Sequence, residues 1–164
     1  MVRLIIDADA TIKLYRSGIL ARVVSAFNCE MPGAVYDEVV TQGKHRLYQD
    51  AEAIEGVIAG AVPIIATSQI RKPETGLGAG ELGILEILHK ETDLIVVSDD
   101  RHFLNILTKL GAGFLTPADI LVLLAARNSI TRSEAREALE RLHPLIRVAA
   151  YYEAREYLEK GGEL

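Results

Sequence analysis

The residues of this chain best suited to chemistry are acids placed where backbone elements end. Asp7 follows the apolar run Val2–Ile6, with Asp9 two residues on. Asp99 and Asp100 follow the apolar run Leu94–Val97, after Ser98. Each run reads as a strand buried on both faces. If the two strands are neighbours, their carboxylates meet at one end of a sheet. Taken singly, each aspartate serves equally well as a helix N-cap. Glu38 lies three residues after Val35 and one before Val39, on the edge of an apolar helix face from which Asp37 points away. It is either an inward acid or a rim residue. Glu81 precedes Ile84, Leu85 and Leu88 by three, four and seven residues, which puts it on the first turn of its helix, on the inward side. The helix dipole alone would also favour an acid there.

Unpaired acids gathered at one place cannot all stay ionised. Two unit charges about 4 Å apart repel by about 4 kcal/mol at an effective dielectric of 20. Either their pKa values rise or a divalent cation enters. Mg²⁺ and Mn²⁺ suit carboxylate oxygen and water. With four His and one Cys in the chain and no ligand spacing among them, zinc is disfavoured. A carboxylate-held Mg²⁺ or Mn²⁺ activates water and offsets charge on a phosphate, so the implied chemistry is hydrolysis of a phosphodiester or phosphomonoester.

The elements that must position these acids alternate along the chain. Besides the two clean runs, Val62–Ile65, Gly113–Leu115 and Cys29–Met31 read as short strands. Helical periodicity appears over Ile19–Phe27, after Pro32 with Val35 and Val39, over Leu82, Leu85 and Leu88, and over Phe103–Leu110, closed by Gly111. Thr116-Pro117 opens another helix. Thr131 and Glu134 form a capping box for the next, and Tyr151–Lys160 is a last one. Apolar strands separated by helices imply an α/β fold with a parallel sheet covered on both faces. Such folds bind ligands beyond the carboxyl ends of the strands, at the switch point.

Composition bounds the rest. The chain has 164 residues, the size of one domain spanning 1–164, and is 49% hydrophobic and 25% charged, which excludes a disordered protein. Its single cysteine, Cys29, excludes a disulfide framework and fits a reducing, cytoplasmic setting. No apolar run approaches the ~20 residues that cross a bilayer, and no signal peptide is readable. There are 23 Asp and Glu against 18 Lys and Arg, a net charge of −5. That argues against indiscriminate coating of nucleic acid, though not against a local basic strip.

Four segments in order carry a resemblance: Leu4-Ile5-Ile6-Asp7, Pro32-Gly33-Ala34-Val35-Tyr36-Asp37-Glu38-Val39, Leu77-Gly78-Ala79-Gly80-Glu81, and Val97-Ser98-Asp99-Asp100-Arg101-His102-Phe103. Together they resemble the acidic motifs of PIN-domain nucleases, to which the VapC toxins belong. The helical part from about 117 resembles a solitary, toxin-like branch. The resemblance implies a three-layer α/β/α sandwich around a five-stranded parallel sheet, and a metal-dependent ribonuclease using Mg²⁺ or Mn²⁺. It implies Asp7, Glu38, Glu81 and one of Asp99 and Asp100 as metal-site acids, with Ser98 as a hydroxyl beside them. It also implies an RNA substrate, a homodimer and, for a toxin, a small antitoxin partner. Asp9 departs from the family's usual Ser or Thr.

Two alternatives stand beside this reading. Asp7-Ala8-Asp9-Ala10-Thr11 also fits the first motif of haloacid-dehalogenase-like phosphatases, with Asp7 as nucleophile and Asp9 as acid/base, but leaves Glu38 and Glu81 without a role. A non-catalytic nucleic-acid-binding module is the other. Lys44, His45 and Arg46 form a basic cluster and Arg71-Lys72 a second. These, with Arg101 and His102, are either solvated loops or phosphate contacts. Gly76, Gly78 and Gly80 read as a flexible hinge. Aromatics make up only 5% of the chain, so base stacking is not an evident mode. Between the adjacent aspartates, the spacing to Phe103 assigns Asp100 to the metal and Asp99 to the N-cap of the following helix.

Overall fold

β1 (Arg3–Ile6) runs through the middle of a five-stranded sheet whose order is β3-β2-β1-β4-β5. The computed structural model describes residues 2–68 and 75–160. β2 (Asn28–Pro32) and β4 (Leu94–Val97) flank β1. β3 (Ile64–Ile65) and β5 (Phe114–Leu115) form the edges, and every pairing is parallel. All five strands fall where the apolar runs place them. The register sets Ile6 opposite Val97, so β1 and β4 end level with each other.

Side chains alternate across the pleat, and two apolar cores result. Leu4 and Ile6 face one side with Val97. Ile5 faces the other with Val96. The first core is covered by α1 (Ala8–Arg16), α2 (Leu20–Ala26), α5 (Gln49–Ile58), α8 (Pro117–Ala126), α9 (Arg132–Leu142) and α10 (Val148–Lys160). The second is covered by α6 (Ala79–Lys90) and α7 (Arg101–Leu110), through Ile84, Ile87, Phe103, Leu104 and Leu107. Together with the sheet these make the α/β/α sandwich expected.

α3 (Gly33–Tyr36) opens after Pro32 and runs into a π-helical turn, Asp37–Thr41, then into α4 (Gln42–His45). Single π turns inside helices recur at functional sites, and this one carries Glu38. At the opposite end of the sheet, Arg3 pairs with Glu30, Glu91 and Asp93, tying β1 to β2 and to the chain entering β4. No described helix is long and apolar enough to cross a membrane.

Candidate active site

Asp7 is the first residue past β1. Its backbone N–H donates to Val97 O at 3.1 Å, extending the β1–β4 ladder by one bond and fixing the carboxyl at the switch point. The side chain caps α1, accepting from Ala10 N at 2.7 Å. Asp7 is 4% exposed. Burial pushes its carboxyl up to about 7, and the charges of Asp9 and Glu81 push the same way, against the Ser98 hydroxyl and the Ala10 N–H. Asp7 is therefore a helix cap that also stands within the field of neighbouring acids.

Ser98 is fully buried at the end of β4. Its hydroxyl favours the ionised form of Asp7 and accepts from Asp100 N at 3.2 Å. Ser98 thus links the acids at the ends of β1 and β4. The two aspartates after it divide differently from the expectation. Asp100, not Asp99, is the N-cap of α7, accepting from Phe103 N at 2.8 Å. The reason lies in the backbone. Asp100 is extended at the cap, with φ of −74° and ψ of 115°, and the Asp99 side chain is instead buried against Lys13. Asp99 is 7% exposed and bonded to Lys13 Nζ at 2.8 Å. Its Oδ1 is buried without a hydrogen bond among the described residues, with Arg147 Nε 3.8 Å away. Lys13 also holds Asp9 at 2.6 Å. Lys13 carried no signal in the sequence reading, although its position one helical turn after Asp9 would have marked the pair.

Glu38 and Glu81 come from elements that pack on each other, α6 against α3 and its π turn. Gly80 makes the approach possible. A Cβ there would sit 2.9 Å from Val35 Cγ2 and 3.6 Å from Glu38 Oε2. Gly80 is therefore a contact point rather than part of a hinge, whereas Gly76, with φ of +68°, does occupy the left-handed region. Glu81 is half-buried and accepts from Gly78 N at 2.9 Å. Lost hydration raises its carboxyl, with Asp100 and Glu38 adding to that and His102 opposing it. Glu38 is raised by lost hydration and by Asp9, against Arg46. Asp7, Asp9, Glu38, Glu81 and Asp100 thus act on one another's charge across the carboxyl end of the sheet.

A family model described as a PIN domain matches residues 3–159. The chain belongs to the PIN-domain family. No curated protein matches it in sequence. Membership in this family supports a nuclease-type function in general and speaks against the phosphatase reading. Asp9, which that reading needs as acid/base, is more than half exposed and engaged by Lys13.

Hard divalent cations take carboxylate oxygen. Asp7, Glu38 and Glu81 offer such oxygens, and burial and neighbouring acids shift all three upward. Among the described residues, no three His, Cys, Asp or Glu side chains converge into a group that could hold a metal ion as they stand.

The basic residues are spread. Arg46 is exposed at the end of α4, and its charge reaches Glu38. Lys44 pairs with Glu55, which also accepts from Tyr36. Arg101 is exposed on the first turn of α7. His102 bonds Thr75 O at 3.0 Å. Arg71 and Lys72 lie outside the described residues. His143 stacks on the buried Tyr151 at 3.9 Å.

Proposed function

We propose that this PIN domain is a metal-dependent endoribonuclease that hydrolyses RNA phosphodiesters with Mg²⁺ or Mn²⁺. The observation that carries this reading is the level ending of β1 and β4, which sets Asp7, Ser98 and Asp100 together at the switch point within electrostatic reach of Glu81. Asp7, Glu38, Glu81 and Asp100 would hold the cation. When bound, such an ion supplies an activated water and offsets charge on the phosphate. The chain's own residues do the rest. Ser98 orients the Asp7 carboxylate through its hydroxyl and the Asp100 loop through its oxygen. Asp100 fixes the start of α7. Lys13 keeps Asp99 and Asp9 paired, so they are engaged outside the ligand set. Arg46 and Arg101 provide positive charge for the phosphates that the acidic site would otherwise repel.

The resemblance to VapC toxins extends the proposal to a cytoplasmic toxin that pairs with a small antitoxin protein and forms a homodimer. The deciding experiment is incubation of the purified chain with Mn²⁺ and an end-labelled single-stranded RNA. Internal cleavage that is lost in EDTA and lost in Asp7→Asn is the expected result. Metal-supported cleavage that survives Asp7→Asn would refute the assignment, as would a covalent phosphate trapped on Asp7.

A further inference from the structure

The turn between α4 and α5 has features that folding alone does not explain. Leu47 adopts φ of +57°, a left-handed conformation rare for a bulky residue. Its side chain is 88% exposed, and that of the next residue, Tyr48, is 59% exposed. The turn is nonetheless firmly held. Arg46 N donates to Gln42 O at 2.9 Å, Leu47 N to Lys44 O at 3.0 Å and Tyr48 N to Gly43 O at 2.9 Å. Gly43 lets α5 close on α4, since a Cβ there would lie 2.8 Å from Ala51 Cβ. A strained backbone over-determined by its surroundings, holding two apolar side chains in water, marks a preorganised contact.

The turn ends the same helical segment that carries Glu38, since the π turn Asp37–Thr41 runs directly into α4 and α4 is capped by Arg46, immediately before Leu47. We propose that Leu47 and Tyr48 form a stacking platform for an unpaired nucleobase of the strand whose phosphates pass Arg46 and the carboxylates. This rests on the nuclease reading and names its substrate as single-stranded. Three observations favour a base over a protein surface. The exposed apolar group is two side chains wide, far short of the roughly 1,200 Å² that stable protein interfaces bury. It is flanked by the exposed Arg46 and His45, which suit a phosphate backbone, while Lys44 is held by Glu55. An aromatic ring accepts any base face, which gives sequence-tolerant affinity for single strands. The low aromatic content disfavoured stacking when composition was read alone. The placement of one tyrosine overrides it.

The test measures fluorescence anisotropy of an end-labelled, mixed-sequence single-stranded RNA of about twelve nucleotides, bound in EDTA so that nothing is cut. The full-length parent is compared with Tyr48→Ala, Tyr48→Phe, Leu47→Gly and, as a control for a distant exposed tyrosine, Tyr152→Ala. Tyr48→Ala should weaken binding about 5- to 100-fold with an unchanged salt slope, the size of one lost stack. Tyr48→Phe should stay within about twofold, Leu47→Gly should fall between, and Tyr152→Ala should match the parent. A parent that binds and cuts RNA, with Tyr48→Ala doing both equally well, overturns the platform and leaves the nuclease reading intact. A parent that neither binds nor cuts ends both. Loss of a dimer in sedimentation by Tyr48→Ala, with RNA binding unchanged, would hand the turn to a second copy and overturn the platform as well.

Discussion

Lys13 Nζ lies 2.8 Å from Asp99 Oδ2 and 2.6 Å from Asp9 Oδ2, so a single α1 lysine neutralises a buried acid from the β4 end and an exposed one from its own helix. The two partners are not equivalent in cost. The Asp99 side chain is 3% exposed and that of Lys13 15%. Lys13→Met strands Asp99 with Arg147 too far for a hydrogen bond, and removing one partner of a buried pair costs about 3 kcal/mol. Asp99→Asn leaves Lys13 on Asp9 and should cost less, about 1 kcal/mol. Urea titrations of both variants and of the double variant check this. A double variant more stable than Lys13→Met alone is the expected sign of coupling.

Asp7 makes stability depend on pH in a direction opposite to most carboxylates. Folding raises its pKa from 3.8 to about 7. Between those values the folded chain holds more protons than the unfolded one, so stability falls as pH climbs through that window. The full loss is on the order of 4 kcal/mol, from a shift of about three units. Asp7→Asn keeps an acceptor for Ala10 N and removes the charge. In EDTA it should match the parent at pH 4 and exceed it at pH 8 in thermal denaturation. Mn²⁺ competes with the same proton, so its stabilisation of the parent should be small at pH 5.5 and grow toward pH 8. A parent whose stability rises steadily from pH 4 to pH 8 in EDTA would contradict the burial argument.

Asp100 separates two jobs by substitution. Asn is as good an N-cap as Asp, and Ala is not. Asp100→Asn should therefore abolish Mn²⁺-dependent cleavage with thermal stability almost unchanged. Asp100→Ala should abolish it and cost about 1 kcal/mol as well. Equal destabilisation by both would show that the Phe103 N bond contributes nothing.

Gly80→Ala tests the close approach of α6 to α3. Alanine improves helix propensity by about 1 kcal/mol, yet its Cβ would overlap Val35 Cγ2 at 2.9 Å. Overpacking of this kind costs about 1–3 kcal/mol, and relief by tilting α6 would carry Glu81 away from Glu38. The expected outcome is a modest net loss of stability and a larger loss of cleavage, both restored in part by Val35→Ala. A fully active Gly80→Ala would show that the spacing of the two glutamates is not critical.

The sheet and most of its helices were legible because burial on both faces leaves a mark. Leu4-Ile5-Ile6 and Leu94-Ile95-Val96-Val97 are apolar without interruption, and Phe103, Leu107 and Gly111 bound α7 by period and by cap. α1 was not legible. Its buried face is Ala8, Ala10, Thr11 and Leu14, small residues that pack closely against the sheet without an apolar stripe. α5 was missed because Gly56 interrupts it and its tail merges with the run toward β3. The four acidic positions were readable as candidates, since Asp7 and Asp100 follow strands, Glu81 lies on the first turn of α6 and Glu38 borders the Val35–Val39 face. The N-cap role of Asp100 and the pairing of Asp99 with Lys13 were not, because adjacent aspartates are the same residue type and differ only in backbone position. Nor was the π turn at Asp37–Thr41, which has no sequence period of its own and shifts Glu38 off the ideal 100° spacing.

The central place of β1 in the strand order has a consequence during synthesis on the ribosome. β1 and Asp7 emerge first, but one flank of β1 is β4, and the acid that ends β4 lies more than ninety residues downstream. At about 5–20 residues per second, several seconds of translation separate the two halves of the carboxylate group. Until Asp100 clears the exit tunnel, Asp7 has neither the Val97 carbonyl nor the Ser98 hydroxyl to hold it. The nascent chain therefore carries its acids singly, and the site assembles only once β4 has followed β1 out of the tunnel.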